Sequence, residues 1–322
     1  MMLRRPTVRV LAAATALVAL GAATACADDG TAGADPQRVD VAAAFYPLQF
    51  VAERVGGDAV RVTNLTKPGA EPHDLELTPS QVGEVNRAEL IVYLKGFQPA
   101  VDEAIAQSGG DRAFDVAGVQ PLLAASAGGH DHGGGGAGQQ EHADEEGTGG
   151  KDPHLWLDPT RLAGVADQLA ERLGKADPER AADYTARAKT LRADLEKLDA
   201  DFAAGLKTCQ RREIVVSHTA FGYLAERYRL EQVGITGLTP ETEPSPQRLA
   251  EVAGEAREHG ATTIFFETLV SPKVAETIAR EVGAQTAVLD PLEGLSADGG
   301  GQDYLSVMRT NLQTLRTALS CS

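Results

Sequence analysis

DPERAADYTARAKTLRADLEKLDADFAAGL, residues 177–206, is the stretch that divides the chain. Asp177-Pro178 opens a helix, because proline in the first turn gives up a backbone donor that would have no partner there. Within the stretch Tyr184, Ala188, Leu191, Leu195, Leu198 and Phe202 recur every three or four residues and make one apolar stripe. At about 1.5 Å per residue such a helix is a rod as long as a small domain. The stripe extends over only about four heptads and is rich in alanine, so a stiff connector is expected rather than a coiled-coil partner helix.

On both sides of this rod, strands alternate with helices. Toward the N-terminus the apolar runs 39–44, 59–65, 90–94 and 113–116 read as strands, with helices predicted over 47–55, 79–86 and 98–107. Toward the C-terminus the runs 213–217, 230–235, 262–266 and 286–289 read as strands. Helices are predicted between them over 220–227, from Ser245-Pro246 to His259, and after Ser271-Pro272, with a closing helix over 304–319. This alternation predicts an α/β fold with two lobes, each a mostly parallel sheet flanked by helices, joined by one long connector helix. The expected boundaries are 38–176 for the first lobe, 177–207 for the connector and 208–322 for the second lobe.

Residues 1–25 stand outside that scheme. Arg4, Arg5 and Arg9 precede a short apolar run, the pattern of a secretory signal. It ends Ala23-Thr24-Ala25-Cys26, similar to a bacterial lipoprotein cleavage box that would make Cys26 the lipid-bearing first residue; an ordinary signal with an incidental cysteine is the other reading. Residues 26–37 then read as a flexible tether, and the protein is expected to work outside the cytoplasm on the cell membrane. The formal charge is −16, and losing the three arginines of the signal takes it to −19. An acidic exported domain argues against nucleic acid and against anionic lipid surfaces as partners. Of the three cysteines, Cys209 and Cys321 remain as a pair in an oxidising compartment, where a disulfide is the default and free thiols or metal ligands the alternative.

Residues 126–150 interrupt the first lobe with a glycine-rich segment carrying His130, His132 and His142 among carboxylates. No core can be built from that composition, so a disordered loop is expected. It either collects a transition metal transiently or has no role. Next comes Lys151-Asp152-Pro153-His154-Leu155-Trp156-Leu157-Asp158-Pro159, in which two Asp-Pro pairs hold His154 in a stiff segment leading to a helix.

In open parallel sheets, ligands bind outside the carboxyl ends of the strands. His218 and Asp290 each directly follow a predicted strand of the second lobe, and His73 and His154 lie in short loops of the first. Lobes that face each other would bring three imidazoles and one carboxylate together, a set suited to Zn²⁺; Mn²⁺ would favour more oxygen. Residue by residue the reading stays open. His218 also fits a helix cap and Asp290-Pro291 a turn, while Glu71, Glu243 and Glu267 are rival oxygen ligands.

From Val39 onward the sequence resembles the zinc/manganese solute-binding lipoproteins of ABC importers, the cluster A-I binding proteins. The matching residues are Pro72-His73-Asp74, Asp152 to Pro159, Ser217-His218-Thr219-Ala220-Phe221-Gly222-Tyr223-Leu224, Glu243-Pro244-Ser245-Pro246 and the strand end at Asp290. The resemblance implies two α/β lobes joined by a long helix with the metal between them, and His73, His154, His218 and Asp290 as its ligands. Histidine at position 218 and the acidic histidine loop resemble the zinc-type members; in some of these a water or another carboxylate completes the site. The implied protein is a non-enzymatic, monomeric, lipid-anchored receptor that captures Zn²⁺ and hands it to the membrane permease of an ABC importer. A Mn²⁺ receptor and a metal-stabilised adhesin are the alternatives, with a zinc hydrolase further off because no HExxH-type motif supplies a base. A single connector helix implies a small lobe movement.

Overall fold

The chain carries two parallel sheets built to one plan. The computed structural model describes residues 38–125, 149–296 and 301–322, all within one compact unit. The signal segment, Cys26 and the loop histidines His130, His132 and His142 lie outside the described residues. In the first sheet β1 (Val39–Ala43), β2 (Val60–Asn64), β3 (Leu90–Tyr93) and β4 (Ala113–Asp115) run in the order β2-β1-β3-β4. In the second, β5 (Glu213–Val216), β6 (Glu231–Gly234), β7 (Thr263–Phe266) and β8 (Gln285–Val288) repeat that order as β6-β5-β7-β8. Every pairing is parallel, so each crossover carries a helix and both faces are covered.

Proline in the first turn or a side-chain cap marks most of the helix starts. α1 (Tyr46–Gly56) has Pro47 in its first turn, and α2 (Pro79–Arg87) is set by a capping box between Thr78 and Gln81. α3 (Pro99–Ser108) follows β3. α4 (Pro159–Ala176) is capped by Asp158, whose carboxylate accepts from the Thr160 amide at 2.8 Å. After α6 (Gly222–Tyr228), α7 (Pro246–Glu258) is capped by Ser245. α8 (Lys273–Val282) and α9 (Tyr304–Ala318) complete the set, the last with a capping box at Asp303.

The expected rod is α5 (Ala181–Gly205), and its six stripe residues are all buried. It starts later than the sequence suggests. Residues Pro178–Arg180 form a tight 3-10 turn, because the Asp177 carboxylate accepts from Arg180 (2.7 Å) and from the Tyr184 hydroxyl (2.9 Å) and folds the entry back. The stripe lies against α4 and α1 on one side, with α9 beyond. The connector is thus also a wall of the first lobe.

Alternation along β5 separates two cores. Ile214 and Val216 join a large cluster that continues through α5, α4 and α9 into the first sheet. Val215 points the other way, into a smaller cluster with Val233, Ile235, Val252, Ile264 and Ile278 beneath α7 and α8. One continuous apolar body therefore joins the two sheets.

Cys209 and Cys321 form the expected disulfide, closing a loop of 112 residues that contains the whole second sheet. Loop closure of that length restricts the unfolded chain strongly. Replacing both cysteines by serine is expected to lower the unfolding free energy by about 2–5 kcal/mol, read from urea denaturation midpoints with and without reductant. Reductant should have no effect on the double variant.

Candidate metal centre

Three imidazoles meet one carboxylate between the sheets. His73 comes from the loop after β2, His154 from the Pro-flanked segment before α4, and His218 from the carboxyl end of β5. The carboxylate is Glu293, which is 1% exposed. Its Oε1 lies 3.0 Å from Nε2 of His154, 3.0 Å from Nε2 of His218 and 3.3 Å from Nε2 of His73. Its Oε2 is buried and accepts no hydrogen bond. The Nε2 atoms of His154 and His218 are 3.4 Å apart. Two nitrogens bound at 2.0–2.1 Å to a tetrahedral zinc are separated by roughly 3.3 Å, so the imidazoles already have the spacing of a bound pair.

The far side of two rings is fixed by a second carboxylate. His154 Nδ1 faces Asp152 Oδ1 at 2.8 Å, and His218 Nδ1 faces Glu267 Oε1 at 2.7 Å. Donation from Nδ1 to a carboxylate leaves the Nε2 lone pair aimed inward and makes it more basic. Asp152 packs against Gly222, where an added Cβ would come within 2.4 Å of its Oδ2, so a larger residue at the start of α6 would displace that carboxylate. The two halves of the site are locked together by Trp156, whose indole N–H donates to the Pro291 carbonyl at 2.7 Å.

Asp290 does not join the cluster, which corrects the expected fourth ligand. Its Oδ1 accepts from the Leu292 amide at 2.7 Å and its Oδ2 from the Thr268 hydroxyl at 3.0 Å, the geometry of a turn. Asn311 of α9 pins its backbone on both sides. That turn drives Leu292 to φ 60°, with its side chain fully buried, and the reversal delivers Glu293 to the histidines. Asp290 is therefore a positioning residue, as its alternative reading as a turn residue allowed. The signal for Glu293 was a carboxylate three residues further along the same strand-end loop. Of the rivals, Glu267 orients His218, and Glu71 accepts from the His73 amide at 3.2 Å. Glu243 lines a separate cavity of about 450 Å³ with Glu241, Leu269 and Val274.

Burial sets the proton affinities, and the carboxylates correct it. Burial holds His73 below the ordinary 6.5 despite Glu293. It pulls His154 and His218 the same way, but Asp152 and Glu293 raise His154, and Glu267 and Glu293 hold His218 well above 6.5. Burial would raise Glu293, yet His73, His218 and His154 keep it well below the usual carboxylate range. Burial and the Glu293 charge push Glu71 up to about 9. The result is a nitrogen-rich, buried, four-donor centre with one anionic oxygen, the donor set of a tetrahedral zinc site.

The chain matches the model of the family described as "Zinc-uptake complex component A periplasmic" over residues 41–318. The chain belongs to this family. It is 36% identical over 286 residues to a zinc-binding protein AdcA of Streptococcus pyogenes, a match that covers 87% of this chain and 56% of that protein. The chain thus spans little more than half the length of the streptococcal AdcA proteins. It is 34% identical to the high-affinity zinc uptake system protein ZnuA of Bacillus subtilis, over 96% of each chain. Among solved structures it is similar to the Zn(II)-bound ZnuA-like domain of Streptococcus pneumoniae AdcA (TM-score 0.71, 29% identity, 88% of this chain and 99% of that one). It is also similar to the laminin-binding protein Lmb of Streptococcus agalactiae, described as having adhesin and metal-transporting activity (TM-score 0.73, 30% identity, 87% and 99%). The family is one of solute-binding and transport proteins rather than enzymes.

Two substitutions separate the carboxylates. Asp290→Asn keeps a side chain able to make the same turn and should leave zinc affinity near that of the parent, whereas Glu293→Ala should weaken it sharply in competition with a chromogenic chelator. Asp152→Asn and Glu267→Gln should each cost about 10–100-fold, the usual effect of removing a partner that orients a ligating histidine.

Proposed function

We propose that the chain is an extracytoplasmic receptor that captures Zn²⁺ between its two lobes and delivers it to the membrane permease of an ABC importer. The observation that carries this reading is the convergence of His73, His154 and His218 on Glu293, with Oε2 of that carboxylate buried and unpartnered. The names of the relatives at 34–36% identity support it. Here zinc is cargo. Four protein donors fill a tetrahedral shell and leave no position for an activated water, so binding and release are the whole activity. Three nitrogens against one carboxylate favour zinc over manganese.

In this reading residues 38–176 and 208–322 act as the lobes, 177–207 as the connector, and Cys26 carries the lipid that keeps a monomeric receptor beside its permease. The disulfide suits an oxidising compartment, and among the described residues no helix is long and apolar enough to cross a membrane. The continuous core through α4, α5 and α9 limits the lobes to a small relative movement, so release depends on the loops that carry the ligands. The histidines of the loop 126–150 serve as an auxiliary collector, and among the residues that flank it the Ala125 amide donates to the Gly150 carbonyl at 2.9 Å.

The likeness to laminin-binding proteins supports adhesion as a second reading. Deletion of the gene decides between them. Loss of growth in zinc-depleted medium, restored by zinc but not manganese, supports the receptor; normal zinc uptake with lost surface attachment supports the adhesin.

The raised histidines give the pH dependence its sign. In the metal-free protein a protonated His154 or His218 contributes stability that is full below about 6.5 and is lost as pH rises through its higher folded value. Metal needs both rings neutral, so zinc competes with protons that these rings still hold near neutral pH. Calorimetric titration in two buffers of different ionisation enthalpy should show net proton release near neutral pH and an affinity that falls as pH is lowered. Buffer-independent heats would contradict this.

A further inference from the structure

At the opposite end of the second sheet, a second cluster has the makings of a metal site. Glu213 is the first residue of β5 and Glu231 the first of β6, and the two are in register in the parallel ladder. Their side chains therefore leave the same face of the sheet, on strands about 4.8 Å apart. Two like charges so placed destabilise the pair unless a cation lies between or beside them. His259, which ends α7, brings an imidazole to the same spot. One donor atom from each of Glu213, Glu231 and His259 lies within 4.8 Å of the others.

Glu213 is the member that points to a ligand. It is 7% exposed, and neither of its carboxylate oxygens accepts a hydrogen bond. His259 Nδ1 lies 3.0 Å from its Oε2 as an ion-pair contact, without hydrogen-bond geometry. A carboxylate buried to that degree with no hydrogen bond to either oxygen is costly, and a proton or a cation relieves it. The neighbourhood adds negative charge: Glu255 faces the cluster with its Oε2 also buried and unpartnered, while its Oε1 is 3.6 Å from Arg248. Of the two arginines that precede β5, Arg212 donates to the carbonyls of Leu206 and Lys207 and Arg211 to the Ala318 carbonyl and the Ser320 hydroxyl.

We propose that Glu213, Glu231 and His259 form a second divalent-cation site, for a first-row metal such as zinc, at the amino ends of β5 and β6. One imidazole and two carboxylates supply the mixed nitrogen–oxygen set that such ions take, and solvent completes the shell on the side where the His259 side chain is 35% exposed. Consistent with that, burial and the charges of Glu255, Glu231 and Glu258 push the Glu213 carboxyl up to about 7. The metal would staple the end of α7 to the sheet edge. His218 follows β5 five residues after Glu213, so the two centres are separated by roughly 16 Å of strand and are independent.

The test uses the full chain with His130, His132 and His142 replaced by alanine, so that the loop contributes nothing. Zinc alone is titrated calorimetrically, and the histidine ring resonances are followed by NMR. The expected result is two equivalents of zinc, the second weaker and accompanied by a shift of the His259 resonances. His259→Gln, at a partly exposed position, and Glu213→Gln should each reduce the stoichiometry from two to one while the first equivalent is retained. A single equivalent in the parent, a second equivalent that survives both substitutions, or His259 resonances that stay in place would overturn the site. Loss of the first equivalent instead would count against the receptor reading and leave the second site to its own readout.

Discussion

A carboxylate with 1% exposure and one unpartnered oxygen is the constraint around which the two lobes close. Glu293 cannot be buried alone, since an isolated anion in the interior costs several kcal/mol at least. Three imidazoles answer it through Oε1, and two of them, His154 and His218, are steadied by Asp152 and Glu267 on their far sides. Three carboxylates face three imidazoles that carry no charge unless protonated, an imbalance that only protons or a cation compensate. That imbalance links architecture to function. The structure that aims three Nε2 atoms at one oxygen also makes His154 and His218 hold protons until metal replaces them.

The support for this arrangement comes from opposite ends of the sequence. Trp156 reaches from the segment before α4 to the Pro291 carbonyl, and the Tyr304 hydroxyl of α9 donates to the Trp156 carbonyl at 2.5 Å. The Tyr223 hydroxyl of α6 donates to the Asp152 carbonyl at 2.8 Å and accepts from the Leu123 amide at 2.9 Å. These bonds tie the ligand-bearing segments to the common core although the segments contain little regular structure. A metal site built this way is preorganised by packing, so ligand geometry is not left to the ion to impose.

Much of this was legible in the residues. The strands and helices were visible because caps and prolines mark their starts, as at Thr78, Asp158 and Ser245, and because the apolar period changes between them. The three histidines were visible because strand ends and Pro-bounded loops are where an α/β sheet presents side chains. The fourth ligand was not. The chain reverses at Leu292 in a left-handed conformation that a leucine gives no hint of, and a carboxylate at the strand end was taken for the ligand when it forms the turn. The folding of α5 against α4 and α1 was equally hidden, because an apolar stripe shows that a helix is buried but not what covers it. Glu213 and Glu231 read as ordinary strand-edge charges until the register placed them side by side.

The most direct test of the central claim is a crystal structure of the chain with one equivalent of zinc, with anomalous data collected at the zinc edge. The account predicts one strong peak at bonding distance from Nε2 of His73, His154 and His218 and from a Glu293 oxygen, with Asp290 still in its turn with Leu292 and Thr268. A peak bound by Asp290, or one at the sheet edge with the cleft histidines uncoordinated, would contradict it.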